Sequence, residues 1–202
     1  REMNSGLLNA DGFGVGWYHA QRDTNPFTYK SVLPIWNDVN LPSLSRYAES
    51  GCILAYVRSA TLGQAVDLSN CQPFDKQKLL CVHNGRVENF RQTIYRPIRD
   101  RLSDFAYQAI KGSTDSEHIF ALLLDEVQAN PSTSLEQALS ATLNHLDTLA
   151  ESCQTRASAN LLISDGKRLI ASRFASDRMS PSLYWLRDDS TFPAAVIIAS
   201  EP

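Results

Sequence analysis

The order of strand and helix patterns along the chain is the feature that most restricts its fold. Short segments rich in branched and aromatic residues, bounded by turn formers, predict strands on both sides of a helical middle. These segments span residues 14–18, 28–33, 52–58, 79–83, 160–164, 168–175, 182–186 and 194–200. Asp165-Gly166 lies between two of them and is typical of a hairpin turn. Strands grouped before and after helices predict an α+β fold with mostly antiparallel pairing, rather than a βαβ nucleotide-binding fold.

The helical middle contains two amphipathic stripes. Apolar residues recur at helical spacing over residues 119–127 and again over residues 135–146. Residues 114–117, Thr-Asp-Ser-Glu, match a capping box that would open the first helix. Residues 133–136, Thr-Ser-Leu-Glu, match one that would open the second.

The remainder of the middle is also predicted to be helical. Segments 89–96 and 97–110 both show helical patterns, and Pro97 suits the first turn of the second segment. No repeat, low-complexity stretch or Pro/Gly/Ser-rich linker interrupts the chain. A sequence of 202 residues is long enough for one substantial core. We therefore expect a single domain over residues 1–202.

The net charge and the cysteine positions argue against several classes of partner and site. The net charge is −3 and no block of Lys and Arg occurs, which argues against nucleic acid or an anionic membrane surface as the main partner. No apolar run approaches the roughly 20 residues of a membrane span. The cysteines at positions 52, 71, 81 and 153 match no zinc or disulfide framework, and Cys52 and Cys81 lie in apolar runs. We expect buried thiols and a reducing, cytoplasmic setting.

The first candidate site is Asn84-Gly85, which follows the apolar run Leu79 to Val82. An Asn-Gly step after a strand is, by itself, more often a type I′ turn than a catalytic feature. The alternative is an oxyanion hole, formed by the Asn84 side-chain amide and the backbone N–H of Gly85. Acyl transfer requires such fixed donors, each typically worth about 3 kcal/mol in the transition state.

The second candidate site is Arg58, in the stretch Tyr56 to Gly63. An arginine at a strand end is usually solvated or ion-paired, but its planar fork can also bind a carboxylate through two parallel hydrogen bonds. In that case Thr61 and Gly63 would shape the loop around the carboxylate. This motif alone does not separate the two interpretations.

The third candidate site is Asp115, in the stretch Gly112 to Phe120. An acidic residue in the first turn of a helix suits the helix dipole, so a structural role is expected in any case. A rigidly placed carboxylate could also hold a substrate ammonium group. Together with Arg58 for a carboxylate and an oxyanion hole at Asn84-Gly85, the three motifs describe a site for glutamine or a γ-glutamyl group.

Five motifs together resemble a class II glutamine amidotransferase domain, which is an N-terminal-nucleophile hydrolase. They are NADGFGVGWY, YVRSATLG, NCQPF, VHNG and GSTDSEH, and they occur in the family's order over nearly the whole chain. The segments LPIWNDVNL and NCQPF are most similar to the free-standing branch that includes the ergothioneine-biosynthesis amidase and the Dug3-type amidotransferases.

The resemblance implies an αββα sandwich, with two antiparallel sheets packed between helical layers. It implies that Arg58 binds the α-carboxylate of a γ-glutamyl substrate, that Asp115 binds its α-ammonium and that Thr61 lines the pocket. Asn84 and Gly85 would form the oxyanion hole. The implied reaction is hydrolysis of a γ-glutamyl amide through a cysteine thioester, and no metal or organic cofactor is implied.

This sequence departs from the family pattern at several positions. The family's nucleophile is a cysteine with a free α-amine, whereas position 1 is Arg1, so we expect the first strands with that cysteine, and a C-terminal end, to lie outside residues 1–202. Tyr56 and Gln72 stand where many relatives of this branch are expected to have histidine. These two differences affect the expected leaving-group side of the site, and not the side that binds the glutamyl group.

The sequence leaves three functions open. The first is a hydrolase of glutamine, or of a small γ-glutamyl metabolite or peptide such as the ergothioneine precursor. The second is a glutaminase subunit that delivers ammonia to a separate synthetase, and the third is a non-catalytic glutamyl-binding domain. The residues do not distinguish a monomer from a homo-oligomer, and the amine side of the substrate stays unassigned.

Overall fold

Two main antiparallel sheets organise the protein. The computed structural model describes residues 8–19, 21–60, 65–177 and 179–202. Its strands are β1 (Phe13–Trp17), β2 (Phe27–Ser31), β3 (Ile53–Val57), β4 (Phe74–Lys76), β5 (Leu79–Val87), β6 (Ala157–Ser164), β7 (Leu169–Ala175), β8 (Tyr184–Arg187) and β9 (Val196–Ala199). Its α-helices are α1 (Leu41–Leu44), α2 (Tyr95–Arg101), α3 (Asp104–Ala109), α4 (Asp115–Ala129) and α5 (Leu135–Ser152).

The first sheet has the strand order β2-β1-β3, and the second has the order β4-β5-β6-β7. A separate hairpin joins β8 to β9, and neighbouring strands in all three sheets run antiparallel. This confirms the predicted α+β fold with two antiparallel sheets and helices. The predicted hairpin is also confirmed, since the turn that contains Asp165 and Gly166 connects β6 to β7.

The two sheets face each other through a small apolar layer. Tyr18, Leu54, Leu80 and Val82 form its buried part. The other face of the second sheet is covered by α4 and α5, and the larger core lies there. Burial of apolar side chains between these layers supplies the main stabilising term. No helix in the described ranges is both long and apolar enough to cross a membrane.

The helical stripes predicted from spacing form the inner faces of α4 and α5. Ile119, Phe120, Leu123 and Leu124 are buried on α4, as the first stripe predicted. On α5 the buried leucines of the predicted stripe are Leu135, Leu139 and Leu146, and Leu143 packs against them from a partly buried position. The 3.6-residue period therefore identified both core-facing helices correctly.

The helix starts agree only in part with the predictions. Thr114 caps α4 by accepting a hydrogen bond from the Glu117 N–H at 3.2 Å. The Glu117 carboxylate does not complete a capping box, because it accepts instead from the backbone N–H groups of Lys111 and Gly112 at 2.8 and 2.7 Å. For α5 the capping box is present but one residue later than predicted, between Ser134 and Gln137.

The predicted helices over 89–96 and 97–110 are wrong in their boundaries. Residues 88–94 form turns, and α2 begins only at Tyr95, which still leaves Pro97 in its first turn. The second segment is split, because Leu102 and Ser103 leave the helical conformation and Ser103 caps α3. Asn89 has a φ of 50°, outside the helical range, and Thr93 Oγ1 donates to the carbonyl oxygens of Glu88 and Asn89 at 3.2 and 3.0 Å, so the helix does not begin there.

Candidate functional site

Asn84-Gly85 lies inside a continuous strand. β5 runs from Leu79 to Val87 without a break, and Asn84 and Gly85 are paired with Asn160 and Ala159 of β6. The type I′ turn considered for this step is therefore wrong. Continuous antiparallel pairing with β6 from Leu80 to Val87 outweighs the local turn preference of an Asn-Gly pair.

One edge of β5 is only partly covered by another strand. The Glu88 N–H donates to the carbonyl oxygen of Arg156 at 2.9 Å, which continues the ladder between β5 and β6. Backbone groups alternate in direction along an antiparallel strand, so the odd-numbered residues of β5 present theirs to the opposite edge. On that edge the pairing with β4 extends only to Cys81, opposite Phe74.

Two side chains bind this edge beyond the end of β4. Gln72 uses its whole amide on His83: Oε1 accepts from the His83 N–H at 2.5 Å, and Nε2 donates to the His83 carbonyl oxygen at 3.1 Å. Asp115 binds four residues further along, where its Oδ2 accepts from the Val87 N–H at 2.7 Å. Gly85 lies midway between these contacts and presents its N–H to the same edge.

Gly85 has no room for a side chain. A Cβ built on this residue would collide with the carbonyl oxygen of Ser158 and would lie 2.7 Å from Nε2 of His83. The His83 ring is itself fixed, with Nε2 3.2 Å from the Ser158 carbonyl oxygen and Nδ1 2.8 Å from Oγ of Ser116. Burial lowers the pKa of His83. A neutral ring with the proton on Nε2 satisfies both contacts, donating to Ser158 and accepting from Ser116.

Asp115 is the first residue of α4 and is buried. Its Oδ1 accepts from the Ser116 N–H at 2.9 Å, while Oδ2 is the atom bound to Val87. These two N–H donors fix the orientation of the carboxylate at the start of α4. Each carboxylate oxygen has more than one acceptor direction, so a ligand cation can still bind.

Arg58 follows the last residue of β3 and is only 3% exposed. Its Nη2 donates to the carbonyl oxygen of Ala65 at 3.2 Å, and its Nη1 lies 3.4 Å from the carbonyl oxygen of Asp11. Asn70 shares the Ala65 carbonyl through Nδ2 at 3.0 Å and accepts from the Ser113 N–H through Oδ1 at 3.0 Å. Arg58 is thus connected to the residue that precedes the cap of α4.

Tyr56 lies within electrostatic range of both charged candidates. Burial raises the pKa of its phenol, Arg58 lowers that pKa and Asp115 raises it. Both charges that the sequence assigned to an amino-acid ligand therefore act on one partly buried side chain. Asp115 lies against the edge of β5 that carries Gly85, and Arg58 is linked through Ala65 and Asn70 to Ser113, two residues before Asp115. Thr61 lies outside the described residues.

Sequence reasoning missed two residues that position this site. Asn70 and Gln72 both belong to the NCQPF motif, but Asn70 was assigned no role and Gln72 was considered only for the leaving-group side of the site. Both are buried, at 4% and 3% exposure, and both place a side-chain amide against backbone groups. The pair of amide side chains within three residues could have indicated this role, because a buried amide must find hydrogen-bond partners.

The cysteines within the chain behave as packing residues. Cys81 is fully buried, as predicted, and burial raises the pKa of its thiol. Cys71 is also buried, and burial raises its pKa as well; its Sγ lies 3.5 Å from the carbonyl oxygen of Asp67. Cys52 is only partly buried. A raised pKa disfavours the thiolate, so Cys71 and Cys81 are poorly suited to act as nucleophiles.

Comparisons with known proteins identify the family to which this chain is similar. A family model described as class II glutamine amidotransferases matches residues 3–191. The probable glutamine amidotransferase DUG3 of Saccharomyces cerevisiae is 30% identical over 191 residues, which cover 85% of this chain and 53% of that protein. The chain therefore spans about half the length of this relative.

Two further relatives match over a larger share of their length. The γ-glutamyl-hercynylcysteine sulfoxide hydrolase of Mycolicibacterium smegmatis is 30% identical over 202 residues, which cover all of this chain and 74% of that protein. A solved structure of a glutamine aminotransferase class-II domain protein from Silicibacter pomeroyi superposes with a TM-score of 0.73 at 31% identity. That match covers 92% of this chain and 79% of the other.

Proposed function

This chain belongs to the class II glutamine amidotransferase family, and on that premise we propose that it hydrolyses γ-glutamyl amide bonds. The substrate would be glutamine or a small γ-glutamyl metabolite or peptide. The observation that carries the proposal is the edge of β5, where the Gly85 N–H lies between the contacts of Gln72 and Asp115. A backbone donor held rigidly in this way suits a developing oxyanion.

The glutamyl half of the substrate is assigned to the charged side chains. Arg58 would bind the α-carboxylate through its guanidinium, and Asp115 would bind the α-ammonium. Thr61 would line the carboxylate pocket. The hydrogen bonds that link Arg58 through Ala65 and Asn70 to Ser113 support this assignment, because Ser113 lies two residues before Asp115.

The reaction would proceed through a thioester. A cysteine thiolate attacks the γ-carbonyl carbon, and the Asn84 amide and the Gly85 N–H donate to the oxyanion that forms. The carbon–nitrogen bond then breaks, and the amine leaves with the proton taken from the thiol. Water adds to the thioester and the carbon–sulfur bond breaks. Glutamate is released, and the cysteine thiol is regenerated. The predicted nucleophile is a cysteine whose own α-amine is free.

The relatives support a γ-glutamyl substrate. The hydrolase from Mycolicibacterium smegmatis is named for γ-glutamyl-hercynylcysteine sulfoxide, whose leaving amine is far larger than ammonia. We propose the same general class here and a cytoplasmic setting, which the four free thiols at positions 52, 71, 81 and 153 support. A synthetase partner would be needed only if ammonia from glutamine were the product that is used.

The test uses the full-length protein. Release of glutamate is measured with glutamine, γ-glutamylcysteine and glutathione, and a parallel sample is treated with an electrophilic glutamine analogue and analysed by peptide mass spectrometry. We expect glutamate release and one modified cysteine outside positions 52, 71, 81 and 153. Absence of both glutamate release and an adduct would contradict the proposal and favour a glutamyl-binding domain.

A further inference from the structure

Gln72 is held in place by its surroundings before it contacts β5. It lies two residues before Phe74, where β4 begins, and its side chain is 3% exposed. On its other side β1 approaches so closely that a Cβ on Gly14 would collide with the Gln72 carbonyl oxygen. The backbone that carries this amide therefore cannot shift toward β1, and its side chain is directed at β5.

The two contacts of Gln72 reproduce what a neighbouring strand would provide. In an antiparallel pair one residue donates to and accepts from the residue opposite it. The Gln72 amide makes both bonds to the backbone of His83, with Oε1 as acceptor and Nε2 as donor. Beyond this point no strand in the described ranges pairs with that edge of β5, so the Gly85 N–H stays available to a ligand.

We propose that Gln72 is a positioning residue for the reaction, acting through His83 on the Asn84 amide and the Gly85 N–H. The inference rests on the proposed function. Asn84 is the next residue after His83, so a rotation of the His83 peptide unit would change the directions of both donors. Misplacing a catalytic group by about 1 Å can cost roughly 10²-fold in rate.

The role requires a neutral amide of this length. Methionine has a similar shape but lacks both hydrogen-bonding groups, and asparagine is one methylene too short to reach both atoms of His83. An ionised glutamate would accept from the His83 N–H but would place its second oxygen against the His83 carbonyl oxygen. A protonated carboxyl group would restore both bonds, because its O–H can donate to that carbonyl.

The first experiment separates catalysis from binding. Full-length Gln72→Met and Gln72→Asn are compared with the wild type and with Gln92→Met, a change at an exposed position. We expect kcat for glutamate release to fall about 10- to 100-fold in both Gln72 variants. KM should change less than about threefold, because the glutamyl head is bound by other residues. Thermal unfolding curves verify that the variants are folded.

The second experiment uses pH to switch the contact. In Gln72→Glu the introduced carboxyl group is buried, which raises its pKa. Its kcat relative to the wild type should therefore increase at least about fivefold from pH 8 to pH 5.5, as the carboxyl group takes up a proton. The matched change Gln92→Glu should leave the ratio flat. Thermal unfolding curves at pH 5.5 and pH 8 verify that Gln72→Glu stays folded, so that a loss of folded protein at pH 8 does not account for the profile.

Three results would overturn the inference. The first is wild-type kcat in a folded Gln72→Met or Gln72→Asn variant. The second is a rise in KM with kcat unchanged in these variants. The third is a ratio of Gln72→Glu kcat to wild-type kcat that does not change between pH 8 and pH 5.5, with the variant folded. If Gln72→Met and Gln72→Asn fail to fold, the pH ratio of Gln72→Glu decides. Failure of the proposed function itself is distinguishable, because the wild type would then release no glutamate at all.

Discussion

The carboxylate of Asp115 accepts a hydrogen bond from the backbone N–H of Val87 across 2.7 Å. This contact fixes the first residue of α4 to the strand that carries Gly85 two positions earlier. The same side chain therefore supports β5 and offers a negative charge beside the donor edge. Structural and ligand-binding roles of Asp115 coexist, because the carboxylate has acceptor capacity beyond these backbone bonds.

Asp115→Asn should separate these two roles. Its carbonyl oxygen can still accept from Val87, whereas the charge that would attract an α-ammonium group is lost. We expect KM for γ-glutamyl substrates to rise about 10- to 100-fold, the equivalent of about 1.5–3 kcal/mol for a hydrogen bond to a charged group. Steady-state kinetics of the full-length variant measure this. A substrate analogue without the α-amino group serves as the control, since the wild type and the variant should turn it over equally.

Asn84→Ala should impair the transition state more than the ground state. Loss of one oxyanion donor typically lowers kcat about 10²- to 10³-fold with KM nearly unchanged. Asn144→Ala, on an exposed face of α5, is the matched control and should retain wild-type kinetics. A loss expressed only in KM would argue against the oxyanion role of Asn84.

Arg58→Lys should weaken ligand binding even though the charge is kept. Lysine cannot bind a carboxylate bidentately and cannot make both contacts with the carbonyl oxygens of Asp11 and Ala65. We expect the affinity for glutamate, measured by calorimetry, to fall about 10- to 100-fold. Arg96→Lys, on the exposed side of α2, is the control. Unchanged glutamate affinity in a folded Arg58→Lys variant would refute the assignment.

His118 should make stability depend on pH. Burial lowers its pKa from 6.5 to about 4, although its bond to the Thr114 carbonyl oxygen acts in the opposite direction and Arg99 lowers it further. The unfolded chain therefore binds a proton near pH 6.5 that the folded state accepts only near pH 4. Below pH 6.5 His118 alone should lower the free energy of unfolding by about 1.4 kcal/mol per pH unit, or about 3 kcal/mol by pH 4.

Urea unfolding between pH 7.5 and 4.5 measures this dependence. His118→Gln should flatten the curve in this range, because the titrating group is removed. Part of the slope should remain, since burial lowers the pKa of His83 in the same direction. Asn144→Gln, which introduces the same amide at an exposed position on α5, should leave the slope of the wild type unchanged. An equal slope in His118→Gln would contradict the role of His118.

Sequence reasoning was most reliable where one local pattern dominates. The helical period over 119–127 and 135–146 identified the inner faces of α4 and α5, because burial of an apolar stripe gives the same period in any context. The Asp165-Gly166 turn was also predicted correctly, because an Asp-Gly pair favours a hairpin turn through its local backbone preference. The segment 89–96 was assigned wrongly, because its turn-forming hydrogen bonds are not apparent from composition.

The sequence by itself determined the α+β class, the two core-facing helices and the chemical character of Arg58, Asp115 and Asn84-Gly85. Tertiary structure alone decided that Asn84-Gly85 is strand rather than turn, and that Gln72 and Asp115 bind the edge of β5 on either side of Gly85. The physical reason is that hydrophobic period and residue type act over a few neighbours. A hydrogen bond between residues 28 positions apart, such as that between Val87 and Asp115, exists only after the sheet and α4 have packed together.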